Sequence, residues 1–210
     1  MGRVVVAIPW RDRGDQLRRA HHQAIRAWFD AHLGAPVLDC DGGGPWSLAT
    51  ARNAGVRLAE DIGADVVVVC DADNHPEPGP LADAISGCQA DRLVHLPYTE
   101  YVNGSFRWAG SVGGIYVTTP DAWWAAGGQD ERFRGWGCED HAFVHAHHTL
   151  LGTPMPRHAG TLTHLPHPAP PERDPRHPDH VAAAALLDAY RSAHGDVVAM
   201  RGLVAGAVPR

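Results

Sequence analysis

VVVVCDADNHP, residues 66–76, is the stretch on which the fold turns. Its apolar run has no polar break, which reads as a strand buried on both faces, the kind found in parallel sheets. The run then stops on two aspartates one residue apart, Asp71 and Asp73. Upstream, RVVVAI (3–8) is a second β-branched run and APVLD (35–39) a shorter one. Asp15 is placed to cap a helix whose face carries Leu17, Ala20, Ala24, Trp28 and Ala31. Small residues and Leu58 suggest another helix over 47–62. Strands alternating with helices predict an α/β fold: a Rossmann-like, mixed and mainly parallel sheet covered by helices on both faces.

Downstream the rhythm changes. RLVHLP (92–97) and SVGGIYVTT (111–119) read as strands on either side of an aromatic, polar loop. Pro120 opens a short helix through Trp123 and Trp124, residues 127–137 read as loop, and a helix follows over 139–151. From His164 to Pro178 the chain is rich in proline, an extended segment. A last helix from about 179 to 194 precedes a tail of undefined structure. This divides the chain into a catalytic domain over 1–165 and an extension over 166–210.

Composition excludes several classes. No apolar stretch approaches the roughly 20 residues that span a bilayer, and the charged N-terminus lacks a signal-peptide cleavage site. A cytoplasmic protein is expected, in the host cytoplasm if phage-encoded. Cys40, Cys70, Cys88 and Cys138 form no CxxC pair and read as reduced thiols. The net charge of -6 does not favour general adhesion to nucleic acid. All 18 basic residues are arginine, which removes lysine chemistry and the P-loop.

In open α/β sheets ligands bind at the carboxyl ends of the strands. Three such ends carry suggestive residues: Pro9 to Arg13, Asp39 to Gly44, and Asp71-Ala72-Asp73. A D-x-D turn suits a hard divalent cation such as Mn²⁺ or Mg²⁺, which can neutralise a departing diphosphate. It can also be a solvated turn or helix cap; its place after a buried strand favours the metal. Arg11 and Arg13 have the chemistry to hold phosphate oxygens. In GWGCEDHAF (135–143) two acids open a helix whose dipole favours their ionised forms. One of them could take a proton from an acceptor hydroxyl. His164 or His167 could complete a metal's ligand set. Four further histidines, His141, His145, His147 and His148, share one helix, a caution against reading each as a ligand.

Taken in order, these motifs resemble the GT-A fold glycosyltransferases, nearest to the β-1,4-galactosyltransferase group and the C-terminal region it shares with chondroitin-polymerase-like enzymes. IPWRDRGDQL resembles the group's P-F-R-N-R-x-x-H-L, and WSLATARNAG stands where the group has F-N-R-A followed by N-x-G. GGIYVTTPDAWWAAGGQDERFRGWGCEDHAF is similar to its G-G … G-G-F-D-E-x-F-x-G-W-G-G-E-D block. The resemblance spans roughly residues 4–164. It implies Mn²⁺ (or Mg²⁺) held by Asp73, with Asp71 beside it on ribose or metal. His164 would be the third protein ligand and His167 a reserve. A nucleotide-sugar donor would be lined by Pro9, Arg11, Arg13, Asp39 or Asp41, and Asn53. Gly113 and Gly114 would admit the donor sugar, and Trp136 would stack on sugar faces. Glu139 and Asp140 would hold donor and acceptor, Asp140 being the general base of an inverting transfer.

Three positions depart from the pattern: Cys138 replaces a glycine, His141 a third acid and Leu48 an arginine. These bear on donor identity more than on reaction type. The implied function is transfer of a sugar, UDP-linked, to a hydroxyl of a saccharide, a protein or a phage-type modified DNA base. A sugar nucleotidyltransferase is the alternative enzyme, though the Gly-rich phosphate loop expected after its first strand is missing. A non-catalytic sugar- or metal-binding relative is the other. The absence of a Golgi-type anchor and stem suits a bacterial or phage origin.

Overall fold

The computed structural model describes residues 2–208. In chain order the first half runs β1 (Val4–Pro9), α1 (Gln16–His32), β2 (Val37–Cys40), α2 (Leu48–Asp61), β3 (Val66–Cys70), β4 (Asn74–Pro76) and α3 (Pro78–Asp91). The second half runs β5 (Glu100–Asn103), β6 (Phe106–Ala109), β7 (Ile115–Thr118), α4 (Pro120–Ala125), α5 (Glu139–Leu151) and β8 (Thr161–His164). A 3-10 turn (Pro171–Arg173), α6 (Pro178–Ser192) and α7 (Val197–Ala205) complete it.

β1 lies between β2 and β3 and runs parallel to both, with Val6 opposite Val37 on one side and Val68 on the other. Every residue of β3 is buried, which is why its sequence has no polar alternation. β7 joins antiparallel to β3, so the order is β2-β1-β3-β7. The expected α/β architecture with a mixed, mainly parallel sheet is present. A second sheet, β4-β8-β5-β6, stands beside it and was not anticipated.

Several local expectations change. Asp15 caps α1 by accepting from the Leu17 and Arg18 amides. The buried face is His22, Ile25 and Phe29, however, and Leu17 is exposed. Alanine populates both stripes of this helix, so apolar periodicity alone did not choose between them. α3 begins Pro-Gly-Pro, which reads as loop punctuation, yet proline is tolerated in a first helical turn whose N–H groups lack partners anyway. The strand expected at 92–97 reduces to two isolated bridges, His95–Val117 and Leu96–Arg157. β7 starts only at Ile115 because Gly113 and Gly114 take φ of +95° and +76°. The "loop" between these segments contains the β5–β6 hairpin, turned by Gly104-Ser105. A two-residue Gly-Ser connection between aromatic, β-branched runs was the available signal.

The C-terminal segment packs back on the rest. Ala183, Leu187, Tyr190, Ala193 and Met200 form one buried cluster with Phe133, Ala142 and Ala146. The Tyr190 hydroxyl donates to Asp130 at 2.9 Å, and the Glu131 amide donates to the Ala207 carbonyl at 2.8 Å. The tail left undefined by the sequence includes the helix α7, capped by Asp196.

Candidate active site

The chain turns sharply after β3, and the turn sends Asp71 and Asp73 into different neighbourhoods. Asp73 faces β8, whose last residue His164 is paired with Asn74. The Leu165 amide donates to the Asp73 carbonyl at 2.7 Å, tying the segment after β8 to this turn. That tie brings His167 Nε2 to 3.1 Å from Asp73 Oδ2 and holds His164 Nε2 at 4.0 Å. One atom from each of Asp73, His164 and His167 lies within 4.8 Å of the others. Arg18, from the first turns of α1, reaches the same carboxylate oxygen at 2.8 Å.

Burial raises the Asp73 carboxyl, but the hydrogen bond from His167 and the charges of Arg18 and His164 outweigh it and hold it below its ordinary range. The His167 imidazole is raised, chiefly by that same hydrogen bond, whereas burial lowers His164. The donor set fits a divalent cation: one carboxylate and two imidazoles, without a thiolate. His164 Nδ1 is also buried with no partner among the described residues. Both histidines therefore meet Asp73, and His167 is the nearer of the two. Asp71 is not part of this cluster.

Asp71 instead receives the fork of Arg52: Nη2 lies 2.8 Å from Oδ2 and Nε 3.1 Å from Oδ1. Arg52 comes from α2 and is 1% exposed. Its Nη1 donates to Asp140 Oδ1 at 2.6 Å and to Gln129 Oε1 at 2.9 Å, and lies 3.7 Å from Glu139. The Tyr116 hydroxyl also donates to Asp140 Oδ1, at 2.6 Å. One buried cation thus faces three acids. Burial lifts Asp71 to about 6 against the pull of Arg52. Glu139 is lifted to about 8, first by burial and then by the neighbouring Asp140. Burial thus works against the ionised form expected from the place of Glu139 at the start of α5.

Gly113 and Gly114 join the two neighbourhoods. The Gly114 carbonyl accepts from the Asp71 amide at 2.9 Å. A Cβ on Gly113 would fall on the Asp140 carboxylate, and one on Gly114 would press on Leu162 at 2.9 Å. The close approach that Gly113 permits in this structure is that of Asp140 itself.

Of the residues expected at the nucleotide, Pro9 is the buried end of β1. Arg11 pairs with Asp41 at 3.0 Å and donates to the Gly44 carbonyl at 2.8 Å. Arg11 and Arg13 both lie 5.5 Å from the Trp46 ring. Asp39 is held by His22 at 2.7 Å and Arg26 at 2.8 Å. Asn53 must be corrected: it is fully buried, and its amide is spent inside the protein. It donates to the Gln129 carbonyl and to Glu131, and it accepts from Trp123 and the Gln129 amide. That uses its full capacity and fixes the loop before Glu131, leaving nothing for a ligand. Trp136 is exposed in the Gly135–Gly137 segment, with the Arg173 guanidinium 4.9 Å from its ring. Sequence reasoning missed Arg18, Arg52 and Tyr116. For Arg52 a signal existed: an arginine sits one turn beyond Leu48, where the family pattern has its own.

Residues 95–168 match the family described as the N-terminal domain of galactosyltransferase. That segment includes Gly113, Gly114, Trp136, Glu139, Asp140, His164 and His167. Among solved structures, the catalytic domain of Drosophila β1,4-galactosyltransferase 7 in complex with xylobiose is 21% identical, with a TM-score of 0.58 over 80% of this chain and 72% of that one. GalNAc-T7, solved with UDP, GalNAc and Mn²⁺, is 11% identical, with a TM-score of 0.61 over 96% of this chain and 54% of that one. S. aureus TarS is 12% identical, with a TM-score of 0.53 over 97% of this chain and 42% of that one. No curated protein matches the chain. The chain has the GT-A fold of nucleotide-sugar glycosyltransferases. Residues 95–168 are similar to the galactosyltransferase family domain.

Proposed function

We propose that the chain is a metal-dependent, inverting glycosyltransferase that moves a sugar from a UDP-linked donor to a hydroxyl of a saccharide acceptor. The observation that carries this reading is the placement, at one end of the sheet, of a carboxylate–imidazole cluster and a separate carboxylate with one free oxygen. Asp73, His164 and His167 would hold the cation, which when bound neutralises charge on the donor diphosphate. A mutant of the Drosophila relative was solved with manganese, UDP-Gal and xylobiose, which supports both cation and donor.

In this reading Asp140 is the base. Its Oδ1 is occupied by Arg52 and Tyr116, whereas no described residue donates to Oδ2, which lies against Gly113. As the acceptor oxygen bonds to the anomeric carbon, its proton passes to Oδ2. The electron pair of the breaking bond leaves with the diphosphate, and the configuration inverts. Glu139, its carboxyl raised by burial and by Asp140, would donate a hydrogen bond to a sugar hydroxyl in its protonated form. The exposed rings of Trp136 and Trp108 suit sugar faces, and Trp108 continues toward the cluster through Tyr101 and His164.

The test is donor turnover with Mn²⁺ and UDP-galactose, with and without saccharide acceptors. Asp140→Asn should lower turnover about 10²- to 10⁴-fold while leaving Mn²⁺-dependent UDP binding near normal. Equal UDP affinity with and without metal, or near-normal turnover in Asp140→Asn, would reject the reading.

A further inference from the structure

Arg52 has no place in the roles that the family resemblance implies. The arginine of the family pattern is Leu48 here, at the first position of α2. Residues four apart on a helix share a face, so Arg52 restores a positive charge to that face one turn further in. There it is almost wholly cut off from water. Burying a guanidinium is costly unless its donors are met, and here they are met by acids. The fork closes on Asp71 through Nε and Nη2, while Nη1 is divided between Asp140 and Gln129.

The consequence for Asp140 is geometric. Arg52 and Tyr116 converge on Oδ1 at 2.6 Å each, and Gln129 Nε2 adds a longer contact at 3.3 Å. Such an arrangement fixes the carboxylate plane and leaves a single oxygen, Oδ2, for a proton. It also ties Asp140 to Asp71, which the backbone holds at the end of β3 through the Gly114 carbonyl. A shift of the β3 end would therefore be felt at Asp140.

We propose that Arg52 is a positioning residue that orients Asp140 through Oδ1 and couples it to the aspartate at the end of β3. This rests on the reading of Asp140 as the base. Three acids, Asp71, Glu139 and Asp140, lie around this one guanidinium, and Tyr116 stacks 5.6 Å from it. Without it nothing else described there is cationic. A lysine would supply the charge but could not span Asp71 and Asp140 with a planar fork.

The experiment compares wild type, Arg52→Gln and Arg52→Lys. The first readout is the carboxyl-carbon NMR spectrum of the metal-free protein, with the Asp140 resonance assigned from Asp140→Asn. In Arg52→Gln that resonance should shift and broaden, because Oδ1 loses the charged donor that fixes it at 2.6 Å. An unchanged resonance in a folded Arg52→Gln overturns the proposal. The second readout is release of UDP from UDP-galactose with Mn²⁺, as a function of pH. Arg52→Gln should lose at least about tenfold in turnover across the pH range. Arg52→Lys should turn over faster than Arg52→Gln and still more slowly than wild type. If Arg52→Gln does not fold, Arg52→Lys decides: wild-type turnover in it overturns the proposal. Near-normal turnover in Asp140→Asn sinks the base assignment instead, and the NMR arm separates that failure from failure of the Arg52 role.

Discussion

Two acids one residue apart, Asp71 and Asp73, end in different chemical worlds. Asp73, itself buried, meets two imidazoles and the guanidinium of Arg18. Asp71 meets one buried guanidinium in a closed network with Asp140 and Glu139. The first carboxyl is held below its ordinary range and the second pushed above it to about 6. The same residue type at nearly the same place is thus shifted in opposite directions by its neighbours. A D-x-D strand end need not be two equivalent metal ligands.

The comparison is broken most severely by removing the carboxylate–imidazole half. Asp73→Ala should weaken Mn²⁺-dependent UDP binding by at least about 100-fold, and His164→Ala and His167→Ala each by at least about tenfold. Calorimetry with and without EDTA reads this. Loss in one histidine variant alone would restrict the cation site to that imidazole.

The next effect lies at the seam between the halves. Gly113→Ala adds a methyl group where the Asp140 carboxylate sits, at a φ of +95° that side chains avoid. Turnover should fall about 10²-fold, the cost of displacing a reacting group by roughly 1 Å. UDP–Mn²⁺ affinity should stay near wild type. An equal loss in affinity would show that the two halves are not separable.

The smallest effect sharpens the account of the closed half. Glu139 keeps its proton up to about 8 when folded, against an ordinary 4.5. Between those values the folded state binds more protons than the unfolded one, so this group's contribution to stability falls as pH rises. Glu139→Gln should flatten that slope and unfold later than wild type at pH 8, by on the order of 1 kcal/mol. Denaturant melts at pH 5 and pH 8 check it, and parallel curves for the two proteins would remove the buried neutral acid from the account.

Much of the frame was legible in the chain. β1, β2 and β3 followed from β-branched runs, α1 and α2 from capping residues and small-residue spacing, and the helix at Glu139 from the pattern after Gly137. Asp73, Asp140 and the histidines stood out in the chain because their motifs are local, and the structure brings Asp73, His164 and His167 together. The hairpin at Tyr101–Trp108 and the second sheet were not, since short strands at a sheet edge carry little periodicity. α3 was hidden by prolines that are harmless in a first turn. Asn53 was misplaced because a motif shows that a residue is needed without showing whether it serves ligand or fold.

By itself, then, the sequence determined the buried strands, the acids at their ends and the block around Glu139-Asp140, all of which show in residue type and local pattern. Tertiary structure alone decided which acid meets which cation. Arg18 to Asp73 and Arg52 to Asp71 and Asp140 are pairings between distant residues. Charge pairing falls off with distance and depends on burial, and neither is written in the chain before it folds.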